Sequence, residues 1–243
     1  MSWRVALAVY LVLLIASHVV YALWPTALMV APKPEPSGVV DIDSRQVAYT
    51  EWRSGVPDAP FVLLIHGSPG DATNFMMIGP ELAELGVDSV AVDLPGFGAS
   101  EPTSDLSARA MASVCLELLD ELHAQGQAPR RVHVLGWSNG GAVILNMSQM
   151  HDGHDVELAS LTMLMATGAQ QTEGSGDYLF EKAKYALGYV GVFAFVELTP
   201  HFGLVGPRAF WYSFIANFME TDQRPLADVL RSLDLPLLIL QGR

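Results

Sequence analysis

The segment Gly136-Trp137-Ser138-Asn139-Gly140, followed by Gly141, holds the residues best suited to chemistry. It follows an apolar run at 132–135 and opens a helical pattern over 140–150. A serine in the tight turn between a strand and a helix has its hydroxyl exposed above the edge of a sheet. That turn leaves little room two residues to either side, so glycine is needed at both places. The helix behind the serine offers free N–H groups and a positive dipole end to a developing oxyanion. In this strand–turn–helix context the pattern is fairly specific for an exposed serine hydroxyl facing a site that favours negative charge.

The elements that must position this turn follow from hydrophobic periodicity. Short β-prone runs at 39–43 and 46–52, around a Ser-Arg turn, predict an opening hairpin. Compact apolar runs at 61–65 and 88–92 have the character of strands buried on both faces. Further strands are predicted at 132–135, 158–165 and 237–240. Helices are predicted at 75–85, 107–124, 140–150 and 226–233, with Ser107 capping the second. Strands spaced by helices imply a mostly parallel sheet. Cys115, the single cysteine, falls on the apolar face of its helix and reads as core.

Composition narrows the function classes. Hydrophobic residues make up 51% of the 243-residue chain, which excludes a disordered protein and directs attention to a membrane segment. The formal net charge of −13 argues against nucleic acid as a partner, because that needs clustered Lys and Arg. Residues 5–23 form an apolar stretch without charge, interrupted only by Ser17, His18 and two tyrosines. As a helix it spans roughly 28 Å, near the thickness of bilayer hydrocarbon. Arg4 precedes it and Lys33 alone follows closely, a bias that puts the N-terminus in the cytoplasm and the remainder outside. A cleavable signal peptide is the competing reading, with Val20-Tyr21-Ala22 its one passable site. The domain organisation expected is an anchor or signal at 1–24, a Pro-rich linker at 25–38, and a folded unit at 39–243.

Three motifs taken together give a resemblance. His66-Gly67-Ser68-Pro69-Gly70 follows the 61–65 strand, and Asp93-Leu94-Pro95-Gly96-Phe97-Gly98-Ala99-Ser100 follows the 88–92 strand. With the serine turn, they stand in the order and spacing of the α/β-hydrolase superfamily, which the chain resembles from about residue 39 onward. The His-Gly-x-Pro form looks like the branch of esterases, peptidases and carbon–carbon bond hydrolases. Dehalogenases and epoxide hydrolases of the superfamily use an aspartate nucleophile, and Ser138 stands against them.

The resemblance implies an α/β-hydrolase fold: a mostly parallel sheet flanked by helices, with a helical cap inserted at 169–225. It implies Ser138 as nucleophile and the backbone N–H groups of Ser68 and Asn139 as oxyanion hole; Pro69 has no N–H to give. His66 is expected to shape its loop, and Asp93 to accept structural hydrogen bonds. The family order is serine, then an acid after strand seven, then a histidine after strand eight. Both partners are therefore expected past Arg243, and the chain reads as a piece of a longer protein. Neither a cofactor nor a metal is expected; the His151–Asp155 stretch, HDGHD, reads as a solvated loop. A rearranged triad from Glu197 and His201 is disfavoured.

Twelve aromatic residues lie between Tyr178 and Phe218. They suit the roof of an apolar pocket, plain packing of cap helices, or contact of Phe193, Phe195, Trp211 and Phe214 with a membrane. The function expected is a membrane-tethered serine hydrolase cleaving an ester, amide or related bond of a partly apolar small molecule. The alternative is an inactive hydrolase-fold module that binds an apolar ligand or a partner protein.

Overall fold

The computed structural model describes residues 2–23, 34–167 and 177–242. Most of the Pro-rich linker, with Trp24 and Pro25, and the start of the expected cap, with Glu173, lie outside the described residues. The N-terminal apolar helix is α1 (Trp3–Leu23), the one described helix long and apolar enough to cross a membrane.

A seven-stranded sheet follows. Its strands are β1 (Gly38–Ile42), β2 (Arg45–Trp52), β3 (Phe61–Ile65), β4 (Asp88–Val92), β5 (Arg131–Trp137), β6 (Glu157–Leu164) and β7 (Leu237–Leu240). Their order across the sheet is β1-β2-β4-β3-β5-β6-β7. β1 and β2 pair antiparallel, as do β2 and β4; all other pairings are parallel. The helices are α2 (Ile78–Glu84), α3 (Ala108–Ala124), α4 (Gly140–Met150), α5 (Tyr178–Glu197), α6 (Arg208–Glu220) and α7 (Leu226–Arg231).

Alternation along β3 shows how the layers form, since successive side chains leave a strand on opposite faces. Phe61, Leu63 and Ile65 enter the cluster built with α3 and α4. Leu64 enters a second cluster with Ala72, Phe75 and Ala91, against which Ile78 and Leu82 of α2 pack. A strand covered on both faces has no reason to alternate with polar residues, which explains its continuous apolar run. Ser107 caps α3 by accepting from the N–H of Ala110 at 3.2 Å. Cys115 is fully buried on that helix, and burial pushes its thiol pKa up.

Two expectations need correction. The hairpin turns at Asp43-Ser44, with Arg45 already in β2; both turn residues have positive φ, 51° and 63°. A two-residue turn of type I′ has that geometry at both positions, and Asp enters the left-handed region more readily than most residues. The helix expected over 75–85 is instead a 3-10 turn (Ala72–Phe75) followed by α2. Pro80 is the cause: proline is tolerated in a first helical turn, where α2 places it, but an earlier start would drive its ring into a preceding carbonyl. Asp71 starts the 3-10 turn through a capping box with Asn74.

Candidate active site

β3, β4 and β5 deliver three loops to one edge of the sheet. Ile65 ends β3 in register with Val92 of β4 on one side and Gly136 of β5 on the other. The residues that follow, His66, Asp93 and Ser138, therefore begin adjacent loops at the carboxyl ends of parallel strands. That is where open α/β sheets gather ligands.

Ser138 sits between β5 and α4 with φ at +53°. For a residue with a Cβ that conformation costs about 1–3 kcal/mol and persists only when its surroundings fix it. Here its N–H donates to the Leu164 carbonyl at 3.1 Å. Its carbonyl accepts from Gly141 at 3.0 Å and Thr167 at 2.9 Å. The flanking glycines are steric necessities. A Cβ on Gly136 would come within 2.3 Å of the Gly140 carbonyl oxygen, and one on Gly140 within 2.4 Å of the Ile65 carbonyl oxygen.

The neighbouring loop lies against Ser138. A Cβ on Gly67 would stand 2.8 Å from the Ser138 Cβ and 3.3 Å from its Oγ. Ser68, next along this loop, and Asn139, the N-cap of α4, are the two expected oxyanion donors. Among the described residues, no acceptor lies on the backbone N–H of either one. The Ser68 Oγ is buried without a hydrogen-bond partner, and so is the Asn139 Oδ1.

His66 is occupied elsewhere. Its Nε2 accepts from the N–H of Leu94 at 3.0 Å, so the neutral ring carries its proton on Nδ1, which donates to the Gly67 carbonyl at 2.6 Å. The ring ties two sheet-edge loops together. Asp93 does the same with its carboxylate, accepting from Ala72 at 2.7 Å and Ala99 at 2.8 Å. Gly98, at φ +56°, makes room for that carboxylate, which a Cβ would meet at 2.1 Å.

The remaining polar candidates serve other sites. His154 bonds Asp120 at 2.6 Å, and Asp120 also receives the N–H groups of Asp155 and Val156. The HDGHD stretch is thereby fastened to α3. Glu197 meets Arg208 at 2.8 Å, and His201 packs against α1. Neither is bonded to Ser138.

Sequence reasoning missed Asn217 of α6. Its side chain is wholly buried; Oδ1 accepts from Asn139 Nδ2 at 2.6 Å, and Nδ2 donates to the Leu106 carbonyl at 2.6 Å. One polar residue between the apolar runs 214–216 and 218–219 was the available signal. The helical insertion thus touches the residue beside Ser138. A mainly apolar cavity of about 350 Å3 lies between Gly96, Phe97 and Gly98 on the sheet side and Val205, Pro207 and Phe210 on the insertion side. Phe97 also packs edge-on against His66, at 5.7 Å between ring centroids.

Residues 62–240 match the model described as the alpha/beta hydrolase family. Among curated proteins, the chain is 28% identical over 139 residues to bifunctional epoxide hydrolase 2 of Rattus norvegicus. That match covers 54% of this chain and 24% of the rat protein. It is 30% identical over 129 residues to epoxide hydrolase A of Mycobacterium tuberculosis, covering 53% of this chain and 39% of that protein. The matched segments thus take in less than half of either relative. Among solved structures, an alpha/beta hydrolase fold protein from Burkholderia ambifaria has a TM-score of 0.61 at 21% identity, covering 86% of this chain and 81% of that one. An esterase from Exiguobacterium antarcticum has a TM-score of 0.59 at 19% identity, covering 83% and 79%. At such identities the likeness is one of fold.

Proposed function

This chain belongs to the alpha/beta hydrolase family, and from that premise we propose that it is a serine hydrolase acting through an acyl-enzyme on Ser138. The observation that carries the reading is the strained Ser138 backbone at the strand–helix turn, with Gly67 against its side chain and two backbone donors, Ser68 and Asn139, beside it. Attack of the Ser138 Oγ on an acyl carbon turns the carbonyl oxygen into an oxyanion, which those N–H groups would receive. The leaving group departs, and water then releases the acyl group. The Ser138 hydroxyl proton passes to a general base and from it to the leaving group; among the described residues His18, His66, His123, His133, His154 and His201 are bonded to other partners.

The curated relatives are named epoxide hydrolases, but Ser138 favours acyl transfer over the aspartate chemistry associated with that branch. The apolar cavity beside Phe97 and Phe210 suits a substrate with an apolar portion. α1 is read as a membrane tether, with the folded domain on the extracytoplasmic side.

Turnover of a panel of p-nitrophenyl esters by the full-length protein tests the reading. Hydrolysis that disappears in Ser138→Ala supports it. Undiminished hydrolysis in that variant overturns it, and no hydrolysis by either favours a binding module.

A further inference from the structure

α1 carries four polar or amphipathic side chains along its middle and C-terminal part, at Tyr10, Ser17, His18 and Tyr21. Their spacing of seven, eight and eleven residues from Tyr10 sets them on one helical stripe. All four engage one segment of the insertion, residues 197–208. The Tyr10 hydroxyl donates to the Leu198 carbonyl at 2.5 Å, and the Tyr21 hydroxyl to the Gly206 carbonyl at 2.8 Å. The Ser17 Oγ is fully buried and accepts from the N–H groups of His201 at 2.8 Å and Phe202 at 2.7 Å. The His18 Nε2 lies 3.5 Å from Glu197, whose carboxylate also meets Arg208 and the Tyr212 hydroxyl. A helix in hydrocarbon has no water for its polar groups, so pairing each of them with protein is what a bilayer demands.

The same region exposes apolar side chains to the outside. Residues 185–196 contain no charged residue, and Leu187, Val190, Phe193 and Phe195 of α5 are exposed. α1 likewise exposes apolar side chains, among them Leu7, Val12, Ile15 and Val19. The contacts run from Tyr21 back to Tyr10, eleven residues or about 16 Å of helix. That is close to the depth of a single leaflet, half of a hydrocarbon core about 30 Å thick.

We infer that the C-terminal half of α5 and residues 197–208 lie within one leaflet of the bilayer beside α1, and that the apolar cavity opens there to lipid acyl chains. The cavity adjoins the contact directly: Gly206 accepts the Tyr21 hydroxyl and also lines it. From there Phe97 leads to His66, and Gly67 to Ser138. The occupant of this face is a lipid bilayer, because α5 ends at Glu197, where the segment held against the candidate membrane helix begins. The inference rests on reading α1 as a membrane span.

Nitroxide labels on cysteines introduced one at a time into the full-length protein, in phosphatidylcholine nanodiscs, test it. Cys115 is buried and does not compete for label. Labels at Phe193→Cys, Phe210→Cys and Leu13→Cys should favour oxygen over a water-soluble nickel chelate several-fold more than a label at Leu85→Cys, on the far end of α2. Oxygen preference at Leu13 with nickel preference at Phe193 overturns the inference and leaves α1 as the anchor. Nickel preference at Leu13 removes the anchor and the inference together. A Phe193 label shielded from both reagents means that protein covers the face, which also overturns it. Oxygen preference at Phe193 but nickel preference at Phe210 overturns the opening to lipid.

Discussion

The Asn139 side chain donates to the Asn217 Oδ1 at 2.6 Å, joining the residue after Ser138 to a helix of the insertion 78 positions later. Both side chains are buried, and Asn217 passes the connection on to the Leu106 carbonyl. The insertion is therefore coupled to the orientation of Asn139, the N-cap of α4, whose N–H is a proposed oxyanion donor.

Asn217→Ala should leave the Asn139 amide buried and unpaired, at a cost of about 1–3 kcal/mol in stability. If Asn217 positions the oxyanion donor, kcat for ester hydrolysis falls while KM stays near its original value. Stopped-assay kinetics beside thermal unfolding separate the two effects; a change in KM alone would assign Asn217 to substrate contact.

Gly67→Ala should abolish reaction at Ser138 while the protein still folds. The new methyl meets the Ser138 Cβ at 2.8 Å and the Trp137 carbonyl oxygen at 3.2 Å, so one loop must move. Circular dichroism reports the fold and ester turnover the loss.

Ser17→Ala removes the acceptor for two N–H groups, those of His201 and Phe202. Each buried donor left unmade costs about 1–3 kcal/mol. A fall in the unfolding midpoint in nanodiscs is expected, whereas Ile15→Ala, on the exposed side of α1, should change it little. Equal effects would contradict the pairing.

Much of this arrangement was legible in the residues, and the failures have a pattern. The buried strands at 61–65 and 88–92 and the serine turn were visible because local sequence alone decides them: apolar runs, and glycines that a Cβ would drive into backbone. Ser17 and His18 read only as interruptions of an apolar helix, since their partners lie some 180 residues away. Asn217 was hidden for the same reason. The split at Pro80 was legible in principle, because proline confines a helix start, but apolar periodicity outweighed it.

Asp88 gives a pH signature. Burial raises its carboxyl pKa, but hydrogen bonds from the Ser54 N–H and hydroxyl, and the Arg53 guanidinium, outweigh this and leave it lowered. A carboxyl lowered in the folded state adds stability above its unfolded pKa of about 3.9 and loses it as pH falls through the folded value. Asp88→Asn should therefore destabilise the protein at neutral pH, and the gap to the parent should close in acid below pH about 4. Urea melts across that range check it; a gap that widens in acid would contradict the sign.

The central claim is that Ser138 is a nucleophile, and mapping the attachment site of a fluorophosphonate on the full-length protein tests it most directly. Peptide mass spectrometry should find the phosphonyl group on Ser138 and no labelling in Ser138→Ala. A label on another residue, equal labelling of that variant, or no reaction with the parent protein would contradict it.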